Sequence, residues 1–350
     1  MVKIALLGAF VFMFSGINGS IEFPHSQELG SFDKPVYPTV KAREEGFLKV
    51  SDLHSIFYSV YGNPSGIPVV ILHGGPGGGC SDTMVQSFDL TKWNVIMFDQ
   101  RGAMRSEPFG CMEENSPQHS VSDIEALRKH FGITQWLVFG GSWGSSLAVL
   151  YGQAHPEACL GFVLRGVWIV NEPGYLHLFY GMGKIFPESY QSMVSHIPEE
   201  ERDDLLSAFH RRVFDSDPEV QLAAARAFMR FDAICATHLP NPKFVEGMVQ
   251  NDKLVLGVMK TFCHYAKNRF FLRENQMLSD MDKIAHLPAI MVHGRYDAIC
   301  LPENAYSLHK AWTNSMLWMI PDGGHSPSDQ SMGRALVAAT DLFAEKLLSK

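Results

Sequence analysis

The sequence has no C-x-x-C pair, no polybasic run, no internal repeat and no low-complexity segment. Its six cysteines (Cys80, Cys111, Cys159, Cys235, Cys263, Cys300) sit at none of the spacings that hold zinc. A chain of 350 residues needs no disulfides to fold, so they read as reduced, partly buried thiols. Basic residues are outnumbered, 29 against 37 acidic ones, for a formal net charge of −8. That balance offers no positive surface to phosphate backbones, and no nucleic-acid partner is expected. With 46% hydrophobic and 19% charged residues, usage is that of an ordinary globular protein, which excludes disordered, collagen-like and coiled-coil chains. Past residue 20, Asp, Glu, Arg or His interrupts every apolar run before it reaches membrane-spanning length, so the mature chain is expected to have no membrane partner.

Residues 1–20 are a separate case. Lys3 precedes an apolar run from Ile4 to Phe14, followed by small and polar residues up to Ser20. The order matches a secretory signal peptide, although only one basic residue leads it and no clean A-x-A site follows. Export to a periplasmic or extracellular space, with loss of this leader, is the expectation; a buried N-terminal strand or a misassigned start is the alternative.

From Val69 onward, short apolar runs alternate with helical patterns. Val69–Leu72, Asn94–Phe98, Trp136–Phe139, Gly161–Leu164, Ala289–Val292 and Met316–Ile320 read as buried parallel strands. Val121–Phe131 has a helical period with Ser120 or Ser122 as N-cap, and a second helix opens at Ser142. Between about Val170 and Ala285 the strand runs stop. Helical stretches replace them, among them Glu199–Phe214 and Pro218–Met229, before a last amphipathic helix over Ser331–Leu348. The expected fold is α/β, a mostly parallel sheet flanked by helices: a core over residues 37–166 and 286–350, interrupted by a helical cap over 167–285.

Gly140-Gly141-Ser142-Trp143-Gly144 fits G-x-S-x-G and lies between a strand and a helix. There, small residues permit a tight turn that lifts the serine hydroxyl clear of the sheet. A serine needs a base to act as a nucleophile, and the base needs an orienting carboxylate, in chain order Ser, Asp, His. Asp297 follows one strand and His325 another, completing a candidate triad with Ser142; His293 and His264 are competing bases. His73-Gly74-Gly75-Pro76-Gly77-Gly78-Gly79 follows the first of these strands. It lacks the Lys-Ser/Thr of a phosphate loop and suits an oxyanion hole, with the N–H groups of Gly75 and Trp143 as donors.

These segments, together with Gly62-Asn63-Pro64, Asp99-Gln100-Arg101-Gly102, Leu164-Arg165-Gly166 and Gly294-Arg295-Tyr296-Asp297, resemble the prolyl aminopeptidases, or proline iminopeptidases. The likeness runs from about Tyr37 to the C-terminus. It implies an α/β-hydrolase fold and serine aminopeptidase activity on short peptides or amino-acid amides with N-terminal proline or another small residue. It implies no cofactor and no metal, and a cytoplasmic setting as the family default. It also assigns Ser142 as nucleophile, Asp297 and His325 as its partners, and Gly75 and Trp143 as the oxyanion hole.

The cap departs from the family pattern. Where the family carries W-E-G and a glutamate before His-Tyr, two acids that receive the substrate's α-amine, this chain has Phe231-Asp232-Ala233 and Phe262-Cys263-His264-Tyr265. Asp232 stands as a shorter acid and Phe262 as an apolar replacement; a local shift would let Glu246 or Asp252 supply the second carboxylate. Two other functions therefore stay open: an esterase or amidase that needs no free amine, and a catalytically silent binding protein on the same fold. Ser142 excludes the aspartate-nucleophile hydrolases.

Overall fold

The computed structural model describes Ile21 and residues 32–349, so the expected leader lies outside the described residues. Among the described residues eight strands form one sheet: β1 (Glu44–Lys49), β2 (Ser55–Gly62), β3 (Ile67–Leu72), β4 (Trp93–Phe98), β5 (Trp136–Gly141), β6 (Cys159–Arg165), β7 (Ala289–Gly294) and β8 (Ser315–Ile320). Their spatial order is β1-β2-β4-β3-β5-β6-β7-β8. β2 runs antiparallel to both β1 and β4, and all other pairs are parallel.

Six of these strands lie where the apolar runs place them. The reading from Val69 leaves out β1 and β2. β1 is an edge strand whose Glu44, Glu45 and Lys49 are exposed, so its sequence looks like charged lead-in. β2 is buried from Ile56 to Tyr61, and its aromatic and β-branched residues were the available signal.

Both faces of the sheet are covered, which is why its parallel strands read as continuous apolar runs. Val70, Leu72, Ile96, Phe98, Trp136 and Val138 point to one side, against Leu147 and Tyr151 of α2 (Trp143–Ala154). Val69, Ile71, Val95, Met97, Leu137 and Phe139 point to the other, where Leu336, Ala339 and Phe343 of the C-terminal helix (Gln330–Leu348) complete the packing.

Helix α1 (Pro117–His130) starts a turn earlier than its apolar period indicates. Its N-cap is Ser116, whose hydroxyl accepts from His119 N–H, and Pro117 at the first helical position supplies a preset φ, so neither Ser120 nor Ser122 caps it. Between β6 and β7 the described chain makes no strand. It forms α3 (Glu172–Leu176), α4 (Pro187–Val194), α5 (Leu205–Val213), α6 (Pro218–Cys235), α7 (Pro242–Val249), α8 (Asp252–Lys267) and α9 (Gln276–Ser279). α5 is shorter than Glu199–Phe214, because Glu199–Asp204 is a separate 3₁₀ turn. α6 is longer than expected: Phe231, Ala233 and Cys235 extend its buried stripe past Met229 and bring Asp232 into the helix. α10 (Pro302–Ala311) and α11, the C-terminal helix, follow β7 and β8.

An ion pair fastens α1 to the loop after β4. The Arg101 guanidinium donates to both Asp123 oxygens at 2.7 and 2.8 Å and to the Glu114 carbonyl at 2.7 Å, and neither charged side chain is more than 3% exposed. Removing one partner leaves the other charge buried without compensation. Asp123→Ala is expected to lower unfolding free energy by about 3–5 kcal/mol in urea titration, while Arg101→Met with Asp123→Leu recovers most of the loss.

Candidate active site

β5 ends on Gly140-Gly141 and α2 begins at Trp143, so the chain reverses around Ser142 alone. Ser142 is held at φ 58° and ψ −128°, a conformation that L-residues avoid and that persists only where the surroundings impose it. The crowding explains the flanking glycines. A Cβ on Gly140 would run into the Gly144 carbonyl, and one on Gly144 into that of Leu72. Trp143 occupies the first helical position, where the geometry of a helix leaves the N–H without an intrahelical partner.

The ends of β6, β7 and β8 converge beside this elbow. Ser142 N–H donates to the Arg165 carbonyl at 2.9 Å. The next residue, Gly166, faces the His325 ring, and a Cβ there would stand 2.9 Å from His325 Cε1 and 3.4 Å from Asp297 Oδ2. His325 Nδ1 donates to Asp297 Oδ2 at 2.8 Å, leaving Nε2 as the nitrogen free to take a proton. Asp297 Oδ1 accepts from the N–H groups of Ile299 and Cys300 at 3.1 and 2.8 Å. Burial by itself would raise the Asp297 pKa; the His325 imidazole, its hydrogen bond, His293 and the Cys300 N–H outweigh that and hold the carboxyl below the usual range. The partner that the aspartate orients is therefore matched by an ionised carboxylate.

The competing bases have other duties. Fully buried His293 accepts from Val167 N–H at 3.0 Å and donates to the Cys300 carbonyl at 2.8 Å, the pattern of a neutral structural imidazole. His264 contacts the Asn115 carbonyl at 3.2 Å. Burial lowers the pKa of both.

The glycine loop reaches the elbow. A Cβ on Gly74 would lie 3.6 Å from the Ser142 hydroxyl, and Gly75 takes φ 116°, open to glycine alone. What holds this loop in place was not evident from the motifs. Gln100 donates from its backbone N–H to His73 Nε2 and from its side-chain amide to the His73 carbonyl, both at 3.0 Å. Its amide oxygen accepts the Trp143 indole N–H at 2.9 Å. One buried side chain thus links the start of the glycine loop to the Trp143 side chain, a role that a motif containing Gln100 does not reveal. Cys300 was also missed. Its thiol feels the Ser142 hydroxyl, and burial keeps it well above the ordinary thiol pKa and so protonated.

Asp232 lies half-buried on α6, close enough to His325 and Asp297 for their charges to act on it. Burial pushes its pKa up to about 6, against the pull of His325 and with a further push from Asp297. It is not the solvated helix residue that its sequence position allows. Phe262, 2% exposed, packs among Trp168, Phe179, Phe228 and Phe270 with ring centroids 5.8–6.5 Å apart. Through Trp168 this cluster reaches Trp143 beside the nucleophile position. Glu246 and Asp252 do not join Asp232: they pair with Arg230 and Arg226, which line an outer cleft of the insertion together with Glu188 and Met193.

The model of the alpha/beta hydrolase fold family matches residues 67–331. A proline iminopeptidase of Xylella fastidiosa is 43% identical over 313 residues, covering 89% of this chain and 99% of the relative. One of Arabidopsis thaliana is 39% identical over 322 residues, covering 91% and 84%. The crystal structure of a proline iminopeptidase-related protein from Thermus thermophilus superposes with a TM-score of 0.60 at 18% identity, over 86% of this chain and 97% of that one, a likeness of fold. With an elbow serine, an Asp–His pair and a glycine loop at one sheet edge, and relatives this similar over nearly their whole length, the chain belongs to the proline iminopeptidase family of α/β-hydrolases.

Proposed function

We propose that the protein is a serine aminopeptidase that removes N-terminal proline from short peptides or amino-acid amides. The observation that carries the reading is the Asp297–His325 hydrogen bond at 2.8 Å, set beside a serine in a strained elbow. His325 Nε2 takes the proton from Ser142 as its Oγ attacks the carbonyl carbon, and Asp297 stabilises the imidazolium that forms. The N–H groups of Trp143 and Gly75 meet the developing oxyanion, with the N-terminus of α2 adding its dipole. His325 returns the proton to the leaving amine, and water then hydrolyses the acyl-enzyme with the same base. Acyl transfer by these groups calls on no cofactor. Asp232 receives the substrate's α-ammonium, since a cation entering a cleft loses hydration that a carboxylate must offset.

Phe262 supports a second reading. An apolar ring where the family has an acid leaves a single carboxylate for the amine. Selectivity for free-amine substrates over esters and N-blocked substrates is then weaker than in relatives with two glutamates. Measuring kcat/KM on matched Pro-, Ala- and N-blocked Pro-arylamides and simple esters separates the two. Activity confined to free N-terminal proline supports the aminopeptidase; equal activity on all four rejects it.

Ser142→Ala is expected to reduce kcat on the order of 10⁴-fold or more with little change in Tm. Retention of a tenth of wild-type kcat would mean another nucleophile. Asp232 gives a pH signature. Below about pH 6 its carboxyl is protonated, so KM for Pro-arylamide is expected to rise as pH falls through that value, and Asp232→Asn abolishes this dependence. The stability sign is opposite to that of a salt-bridged acid. The folded pKa is raised, so the favourable contribution is present below the unfolded value and lost as pH rises through about 6. Asp232→Asn should therefore increase Tm at pH 7–8 and leave it unchanged near pH 3, measured by calorimetry across that range.

A further inference from the structure

The loop that carries His325 is held by the helical insertion as well as by the core. α6 ends at Cys235 with Ala236 as its C-cap, and helix ends leave carbonyls without intrahelical partners. The Ala236 carbonyl accepts the N–H groups of His325 and Ser326, at 2.9 and 2.8 Å. From the core side, Arg165 Nη1 donates to the His325 carbonyl at 2.7 Å. Both polar groups of the His325 backbone are therefore pinned, one by each part of the fold.

Asp329 adds a second tie. It occupies the N-cap of α11, where an aspartate ordinarily accepts from the first N–H groups of its own helix. It makes no such bond. Its Oδ2 instead accepts from Gly324 N–H at 2.8 Å and from His238 N–H at 3.1 Å. Gly324 precedes His325, and His238 lies just past α6, so one carboxylate oxygen bridges the base-bearing loop and the insertion. The His238 ring also stacks on Tyr296, 4.7 Å between centroids, next to Asp297. The C-terminal end of α6 is thus fastened to both loops of the Asp–His pair, one helical turn beyond Asp232.

We propose that Asp329 is a positioning residue that couples the insertion to the general base. By tying the end of α6 to the Gly324-His325 loop, it joins the carboxylate that meets the substrate's amine and the imidazole that takes the Ser142 proton into one rigid unit. Loss of this tie is then expressed in kcat more than in KM, because a displacement of α6 reaches His325 through peptide hydrogen bonds rather than through substrate affinity. The inference rests on His325 as base and Asp232 as amine partner.

The test compares Asp329→Ala and Asp329→Asn in the full chain, by kcat and KM on Pro-arylamide and by the rate at which a fluorophosphonate labels Ser142. Labelling needs the nucleophile and base but no amine, so it reads the positioning of the base whatever the natural substrate is. Asp329→Ala is expected to lower kcat and the labelling rate together, on the order of tenfold or more, with KM within about threefold of wild type. Asp329→Asn keeps an acceptor oxygen and restores most of both rates. Unchanged labelling and kcat in Asp329→Ala overturn the proposal, as does a loss confined to KM. Equal losses in Asp329→Asn and Asp329→Ala, with a fall in Tm, overturn it in favour of a purely structural role. A wild-type protein that takes no label at Ser142 overturns the reading of the site itself, and the coupling with it.

Discussion

The hydrogen bond between Asp297 and His325 is the contact around which the rest of the site is arranged. It sets the tautomer of the imidazole and leaves Nε2 as the nitrogen that can take a proton. The carboxylate stays ionised at full burial because the His325 imidazole and its hydrogen bond, with His293 and the Cys300 N–H, outweigh the lost hydration. The parallel sheet places this pair next to Ser142: β5, β7 and β8 all end on the same edge, and β6 lies between β5 and β7 with Gly166 small enough to let the ring through.

Much of the surrounding structure keeps donors and acceptors aimed where a reacting substrate would sit. Ser142 stays at a positive φ because packing on both sides of the elbow forbids a Cβ at Gly140 and Gly144. His73, Gln100 and Trp143 form a closed set of hydrogen bonds between the glycine loop and the start of α2. His73 takes part as a neutral ring, donating from Nδ1 to the Gly74 carbonyl and accepting at Nε2, and burial lowers its pKa in keeping with that state. Such groups cost stability individually. Their benefit is that little reorganisation is left for the moment when charge develops.

The helical insertion shares the apolar core on one face of the sheet, with Phe209, Phe228, Val255 and Phe262 packed into it. It also touches the glycine loop, where a Cβ on Gly77 would strike the Gly257 carbonyl of α8. An insertion built this way is less a free lid than a second wall of the site. Of the two side chains proposed to set its selectivity, Asp232 lies within electrostatic reach of the Asp–His pair and Phe262 belongs to an aromatic cluster.

What the sequence determined by itself was local. Continuous apolar runs mark strands buried on both faces, and glycines around a serine between strand and helix mark an elbow. Aspartate and histidine just past two later strands follow the chain order that such a fold requires. These signals rest on backbone geometry and periodicity, which a linear string records. β1 escaped because an exposed edge strand has no apolar run, and Ser116 because a cap acts before the helical period begins. What only the tertiary structure decided depends on distant segments meeting: Gln100 between His73 and Trp143, the Asp329 carboxylate turned from its own helix toward Gly324 and His238, and the raised pKa of Asp232. Burial and charge neighbours set that pKa, and no spacing along the chain encodes them. The same holds for Glu246 and Asp252, plausible amine partners by sequence position, which the fold turns to arginines on the outer face of the insertion.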